Sequence, residues 1–133
     1  MLVREQNKLD NSIFKVGYTV VNIQTDDYSI RHDVESATVY FRGFLRLDGI
    51  EKYQPVMDIL LNAVNESTNF TIDLRELEFL NSSGISMLSM FIVKVRDRGG
   101  VDLILKGSDK ILWQTKSLKN LQRLMPSLTL RYE

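Results

Sequence analysis

The stretch FTIDLRELEFLNSSGISMLSMFIVKVRDRGGVDLIL, residues 70–105, decides the fold. Its start, with Asn69 before it, reads NFTIDL (69–74), is rich in β-branched and aromatic residues and predicts a strand. Next, SSGISMLSMFIVKVRDR repeats apolar residues at helical spacing, and Gly99–Gly100 stops it. VDLILK, residues 101–106, is a second strand. A strand, a helix and a strand in this order predict a crossover between parallel strands.

Working outward, YSIRH (28–32) and ATVYFRGFL (37–45) read as strands, and KVGYTVVNIQ adds one at Tyr18–Ile23. In DGIEKYQPVMDILLNAVNE, Tyr53, Met57, Leu60, Leu61 and Val64 recur at helical spacing. Asp48 and Glu51 stand as a capping pair. Pro55 conflicts with a start there, so either the regular helix begins near Gln54 or its first turn is distorted. DKILWQTKSLKNLQRLM supplies one or two short helices ending near Pro126, and LTLRY a last strand. The expected architecture is α/β, a mixed and largely parallel sheet with helices mainly on one side. Residues 1–12 are polar and read as loosely held. Residues 1–27 form an N-terminal extension that can contribute a strand to the domain at 28–133.

Composition narrows the function classes. Lys plus Arg and Asp plus Glu are each 17, and this balance argues against direct nucleic-acid binding, which favours a basic excess. With no cysteine, disulfides, Cys-based zinc sites and thiol nucleophiles are excluded. The N-terminus lacks the apolar core of a signal peptide, ~7–15 residues. The longest apolar stretch, Ser86–Val95, falls short of the ~20 residues of a membrane span. The expectation is a cytoplasmic protein without membrane insertion. His32 is the single histidine, and a lone strand histidine is read as structural. Asp73, Glu76 and Glu78 are expected to be solvated, Trp113 to anchor the last helices, and Lys116, Lys119 and Arg123 to form a solvated helix face. No metal, cofactor or catalytic constellation is found, and the expectation is no enzyme.

On a helical wheel of about 100° per residue, Ile85, Leu88, Phe91, Ile92 and Val95 share a core-facing stripe. Ser82, Ser83, Ser86, Met90, Val93 and Asp97 lie opposite, with Met87 and Lys94 at the edge. Three hydroxyls followed by Met and Val are unusual for a solvated face; either another element covers it, or it is a partner surface. Asn81 is a favoured N-cap, and Gly84 is expected to give close backbone access. Helix starts suit phosphate, and a phosphoserine there adds a charge of about −1.5 to −2.

These residues carry a resemblance. FTIDLRELEFLNSSGISML resembles the signature of STAS domains, the fold of bacterial anti-sigma factor antagonists. Ile72-Asp73-Leu74 resembles the family's strand end, Phe79-Leu80 its apolar pair, and Ser82-Ser83-Gly84-Ile85 its helix-opening element. Upstream, FRGFLRLDG is similar to the region before the family's first helix, and GGVDLIL to its next strand; the resemblance covers roughly residues 28–133. It implies partner switching in signal transduction and transcription regulation. An anti-sigma-type Ser/Thr kinase phosphorylates the serine at the helix start, and a PP2C-type phosphatase reverses it. Ser82 occupies the acceptor position, with Ser83 secondary. Asn81, Ser82, Ser83, Gly84, Ser86, Met87, Met90 and Val93 then form the partner-binding face. Asn81 departs from the family's Asp. The alternative is a constitutive, non-phosphorylated STAS subunit that docks a transporter ATPase or a signalling scaffold. A nucleotide site, a homodimer and the role of the extension stay open.

Overall fold

The structure, a computed structural model, describes residues 22–133 in full and, before them, the backbone of Val3–Arg4, Ile13–Val16 and residues 19–21. The remainder of the segment read as loosely held lies outside the described residues.

Among the described residues, eight strands form one sheet in sequence order. They are β1 (Val3–Arg4), β2 (Ile13–Val16), β3 (Thr19–Gln24), β4 (Tyr28–Asp33), β5 (Thr38–Leu45), β6 (Asn69–Leu80), β7 (Asp102–Gly107) and β8 (Thr129–Tyr132). The first five pair antiparallel, and β5 to β8 pair parallel. The mixed α/β sheet expected from the sequence is therefore present. Its parallel part is the strand–helix–strand half, and its antiparallel part is the N-terminal half. Each parallel pair is bridged by one helix: α1 (Gln54–Val64), α2 (Ser82–Arg98) and α3 (Leu112–Leu124). The strands step across the sheet in one direction, so right-handed crossovers place all three helices on the same face.

Burial alternates accordingly. Ile23, Ile30, Val39, Phe41, Ile72, Leu74, Leu103 and Leu105 are buried beneath the helices. Their neighbours Gln24, Arg31, Arg42 and Asp102 are exposed on the open face. The two faces of a strand differ by one residue, so this pattern fixes the register. Leu60, Phe91, Ile92 and Leu118 fill the layer from the helix side, and Phe70 meets Phe91 edge-to-face at 6.0 Å. Each such side chain contributes about 1.5–3 kcal/mol on burial.

Three local expectations are corrected. Asp48 and Glu51 do not cap a helix: a 3-10 turn, Ile50–Tyr53, starts behind Gly49 with no side-chain cap. The regular helix then begins at Gln54, where Pro55 falls in its first turn and its missing N–H leaves no bond unmade. The strand opening at Asn69 does not stop at Leu74 but runs on to Leu80. Two register shifts against β5, at Tyr40/Arg42 and Gly43/Phe44, absorb the irregular run Arg75–Glu78. Thirdly, Asp73 is buried, because Arg75 closes over it with three guanidinium hydrogen bonds of 2.7, 3.0 and 3.1 Å. Glu76 pairs with Arg42 at 2.9 Å and is exposed, as is Glu78.

Candidate functional site at the start of helix α2

Asn81 caps α2, its Oδ1 accepting from the Gly84 amide at 3.0 Å. The same oxygen accepts from the phenol of Tyr53 at 2.5 Å. Asn81 Nδ2 donates to the Leu47 carbonyl at 2.8 Å, and the Leu47 amide donates to the Tyr53 oxygen at 3.3 Å. Tyr53 is fully buried, and burial pushes its phenol up, which keeps it a donor. Three segments meet here: the end of β5, the 3-10 turn and the first turn of α2. Donation to Leu47 requires an amide, so Asn81 has a structural reason to stand where the resembled family has Asp. A carboxylate would place oxygen against a carbonyl oxygen.

The outward face is narrower than the wheel implies. Ser82, Ser86 and Met90 are exposed, and Ser83 and Val93 are half-buried. Met87, expected on the partner face, is 1% exposed and belongs to the core. Both α1 with its 3-10 turn and α3 pack against α2, so its buried residues, from Met87 round to Ile92, span about 140° at 100° per residue. Gly84 is buried too. A Cβ there would lie 2.2 Å from Leu80 Cδ1 and 2.8 Å from the Tyr53 hydroxyl. Glycine is needed for close packing of the helix start, not for access from outside.

Ser82 and Ser83 are the first two helical residues. Within the described residues neither hydroxyl has a hydrogen-bond partner, and their two amides precede the first capped amide. The positive end of the helix dipole is exposed at this point.

The sequence reading missed apolar surface at the C-terminal ends of β5 and β6 and on the elements that follow them. Phe44 and Phe79 are register partners at the C-terminal ends of β5 and β6, and both are exposed. The Arg46 guanidinium lies over both rings, 6.0 and 5.6 Å from their centroids. Exposed Ile50 sits in the turn that packs on α2, and exposed Leu112 opens α3. Trp113 ties that helix to β6, its Nε1 donating to the Leu77 carbonyl at 2.9 Å. With Met90, these make five of the six exposed large hydrophobics among the described residues, all near the ends of the parallel strands or on α2. The available signal was Phe44 and Phe79 falling in strands at positions out of phase with the core pattern. Their meeting depended on the register shifts.

His32 is half-buried, and burial lowers its pKa against the opposing pull of Glu66 and Asp33. Lys116, Lys119 and Arg123 are exposed on α3. Among the described residues no cluster of three or more His, Asp or Glu is arranged to hold a metal. No helix there is long and apolar enough to cross a membrane.

No family model and no curated protein matches the chain by sequence. Among solved structures it is similar to a chain in the crystal structure of the diguanylate cyclase SiaD in complex with its activator SiaC from Pseudomonas aeruginosa. The TM-score is 0.66 at 15% identity, covering 84% of this chain and 97% of that one. At that identity the likeness is one of fold.

Proposed function

We propose that this α/β domain is a non-catalytic regulatory module that binds protein partners through the start of α2 and the apolar rim around it. One observation carries the reading. Helix α2 opens with two hydroxyls that have no hydrogen-bond partner among the described residues, and exposed Met90 follows two turns along it. Exposed Ile50 sits in the turn packed on it, and exposed Phe44 and Phe79 lie at the ends of the preceding strands. Aromatic residues and Arg dominate interface energetics, and Arg46 stacked on two rings supplies both. Ligands of open α/β sheets also favour the carboxyl ends of the strands. The solved structure of similar fold contains an enzyme with its protein activator, which agrees with a protein-binding role.

The finer reading is partner switching. Ser82 is the phosphoacceptor, Ser83 the secondary one, acted on by an anti-sigma-type kinase and a PP2C-type phosphatase. A dianion at Ser82 is stabilised by the free amides of the first turn. It also opposes any acidic or apolar partner surface that docks on the exposed side of α2 at Ser86 and Met90. The second reading, a constitutive docking subunit for a transporter ATPase or scaffold, is favoured by Asn81, whose amide is committed to Leu47 and offers no charge to the acceptor.

A photo-cross-linker placed at Ser86 tests both, with the exposed α1 position Asn62 as control. In cells of the native source, Ser86 should capture a defined partner and Asn62 should not. Adding Ser82→Glu should change which partner is captured. Equal capture from both positions would refute the surface, and capture indifferent to Ser82→Glu would favour the constitutive reading.

A further inference from the structure

The open face of the sheet carries a feature independent of α2. The register aligns Asn22 with Arg31 and Arg31 with Tyr40 across β3, β4 and β5. Two residues along, it aligns Gln24 with Ser29 and Ser29 with Arg42. Side chains two apart share a face, so these six form a grid of two rows and three columns. Strands ~4.8 Å apart and a rise of ~3.3 Å per residue make it roughly 10 by 7 Å. The grid lines a cavity of about 390 Å³, floored by the backbone of Ile23 and Ile30. Small-molecule sites begin near ~300 Å³.

Its chemistry is rich in donors. Two guanidiniums, two amides, a serine hydroxyl and a phenol line it, and none of the described lining residues is a carboxylate. Arg42 is engaged by Glu76, and Asp26 and Asp27 stand in the turn beyond the second row. Asp33, further along β4, accepts from Ser36 at 2.8 Å. Arg31 makes no ion pair among the described residues; its guanidinium lies 4.7 Å over the Tyr40 ring. Stacking fixes that plane and leaves its N–H edge free for a planar or tetrahedral oxyanion. The anionic end of a ligand therefore belongs at the Arg31–Tyr40–Asn22 row. A neutral, hydroxyl-bearing end belongs at Gln24 and Ser29.

We propose that this grid binds a small phosphate monoester, with Arg31 as its principal phosphate contact. The test is a ¹H–¹⁵N NMR titration of the full chain with inorganic phosphate, glycerol 3-phosphate and uncharged glycerol. Saturable shifts should map to residues 22–42, be tighter for glycerol 3-phosphate than for phosphate, and be absent for glycerol. Arg31→Ala should weaken binding about tenfold or more, the worth of a charged hydrogen bond. Tyr40→Phe, which keeps the stacking ring, should weaken it less, and Ser82→Glu should leave it unchanged. Shifts that fail to saturate, that map instead to the first turn of α2, or that survive Arg31→Ala would overturn the proposal.

Discussion

Replacing Tyr53 by Phe removes one oxygen and leaves the ring in its fully buried place. That oxygen donates to Asn81 Oδ1 at 2.5 Å and receives the Leu47 amide at 3.3 Å. The loss leaves the Leu47 N–H without its partner and removes one of two donors from the cap oxygen. An unsatisfied part-buried group costs about 1–3 kcal/mol, so the expected loss of stability is about 2 kcal/mol. With a urea slope of ~1–3 kcal/mol/M, the unfolding midpoint should fall by about 1 M. Asn81→Ala alone removes the cap and the bond to Leu47, at about 1–2 kcal/mol. The two side chains share one hydrogen bond, so the double variant should cost less than the sum by at least ~0.5 kcal/mol. Urea unfolding of the four proteins measures this coupling. Additivity within ~0.3 kcal/mol would refute the claim that Tyr53 and Asn81 act as one unit holding the start of α2.

Gly84→Ala should destabilise by about 1–3 kcal/mol through overlap with Leu80 and Tyr53, although the same change in an open helix gains up to ~1 kcal/mol; the sign in thermal unfolding decides. Gln114→Leu should cost about 2–4 kcal/mol, because the fully buried amide satisfies the Ser108 amide and the Leu74 and Leu77 carbonyls, and Leu satisfies none of them. Burial lowers the His32 pKa in the folded state below its ordinary 6.5. The unfolded chain then binds the proton first, so stability is full above about pH 6.5 and falls as pH drops toward the folded value. His32→Gln should flatten that slope in urea titrations between pH 7 and 5, taken as roughly the histidine range.

The parts of the fold legible in the sequence were those governed by local periodicity. The strand at residue 70, the helix after Asn81 and the strand before Gly107 follow from spacing of apolar residues and from Gly99–Gly100. The cap at Asn81 was legible for the same reason, since it involves residues three apart. What stayed hidden depends on contacts that the apolar periodicity does not specify. Met87 looks like an edge residue on a wheel and is buried because α2 is flanked on two sides. Gly84 looks like an access point, but Leu80 and Tyr53, four and thirty-one positions upstream, both close on it. Phe44, Arg46 and Phe79 meet only through a register with two shifts, which strand periodicity does not specify. Asp73 read as solvated because its burial depends on Arg75 folding back over it.

The most direct test of the switching account is intact mass with site mapping of the protein purified from its native cells, beside Ser82→Ala and Ser83→Ala. Switching at Ser82 requires an increment of about 80 Da, one phosphate, that disappears in Ser82→Ala and persists in Ser83→Ala. Absence of phosphate under growth, starvation and stress, with partner capture unchanged by Ser82→Glu, would contradict it.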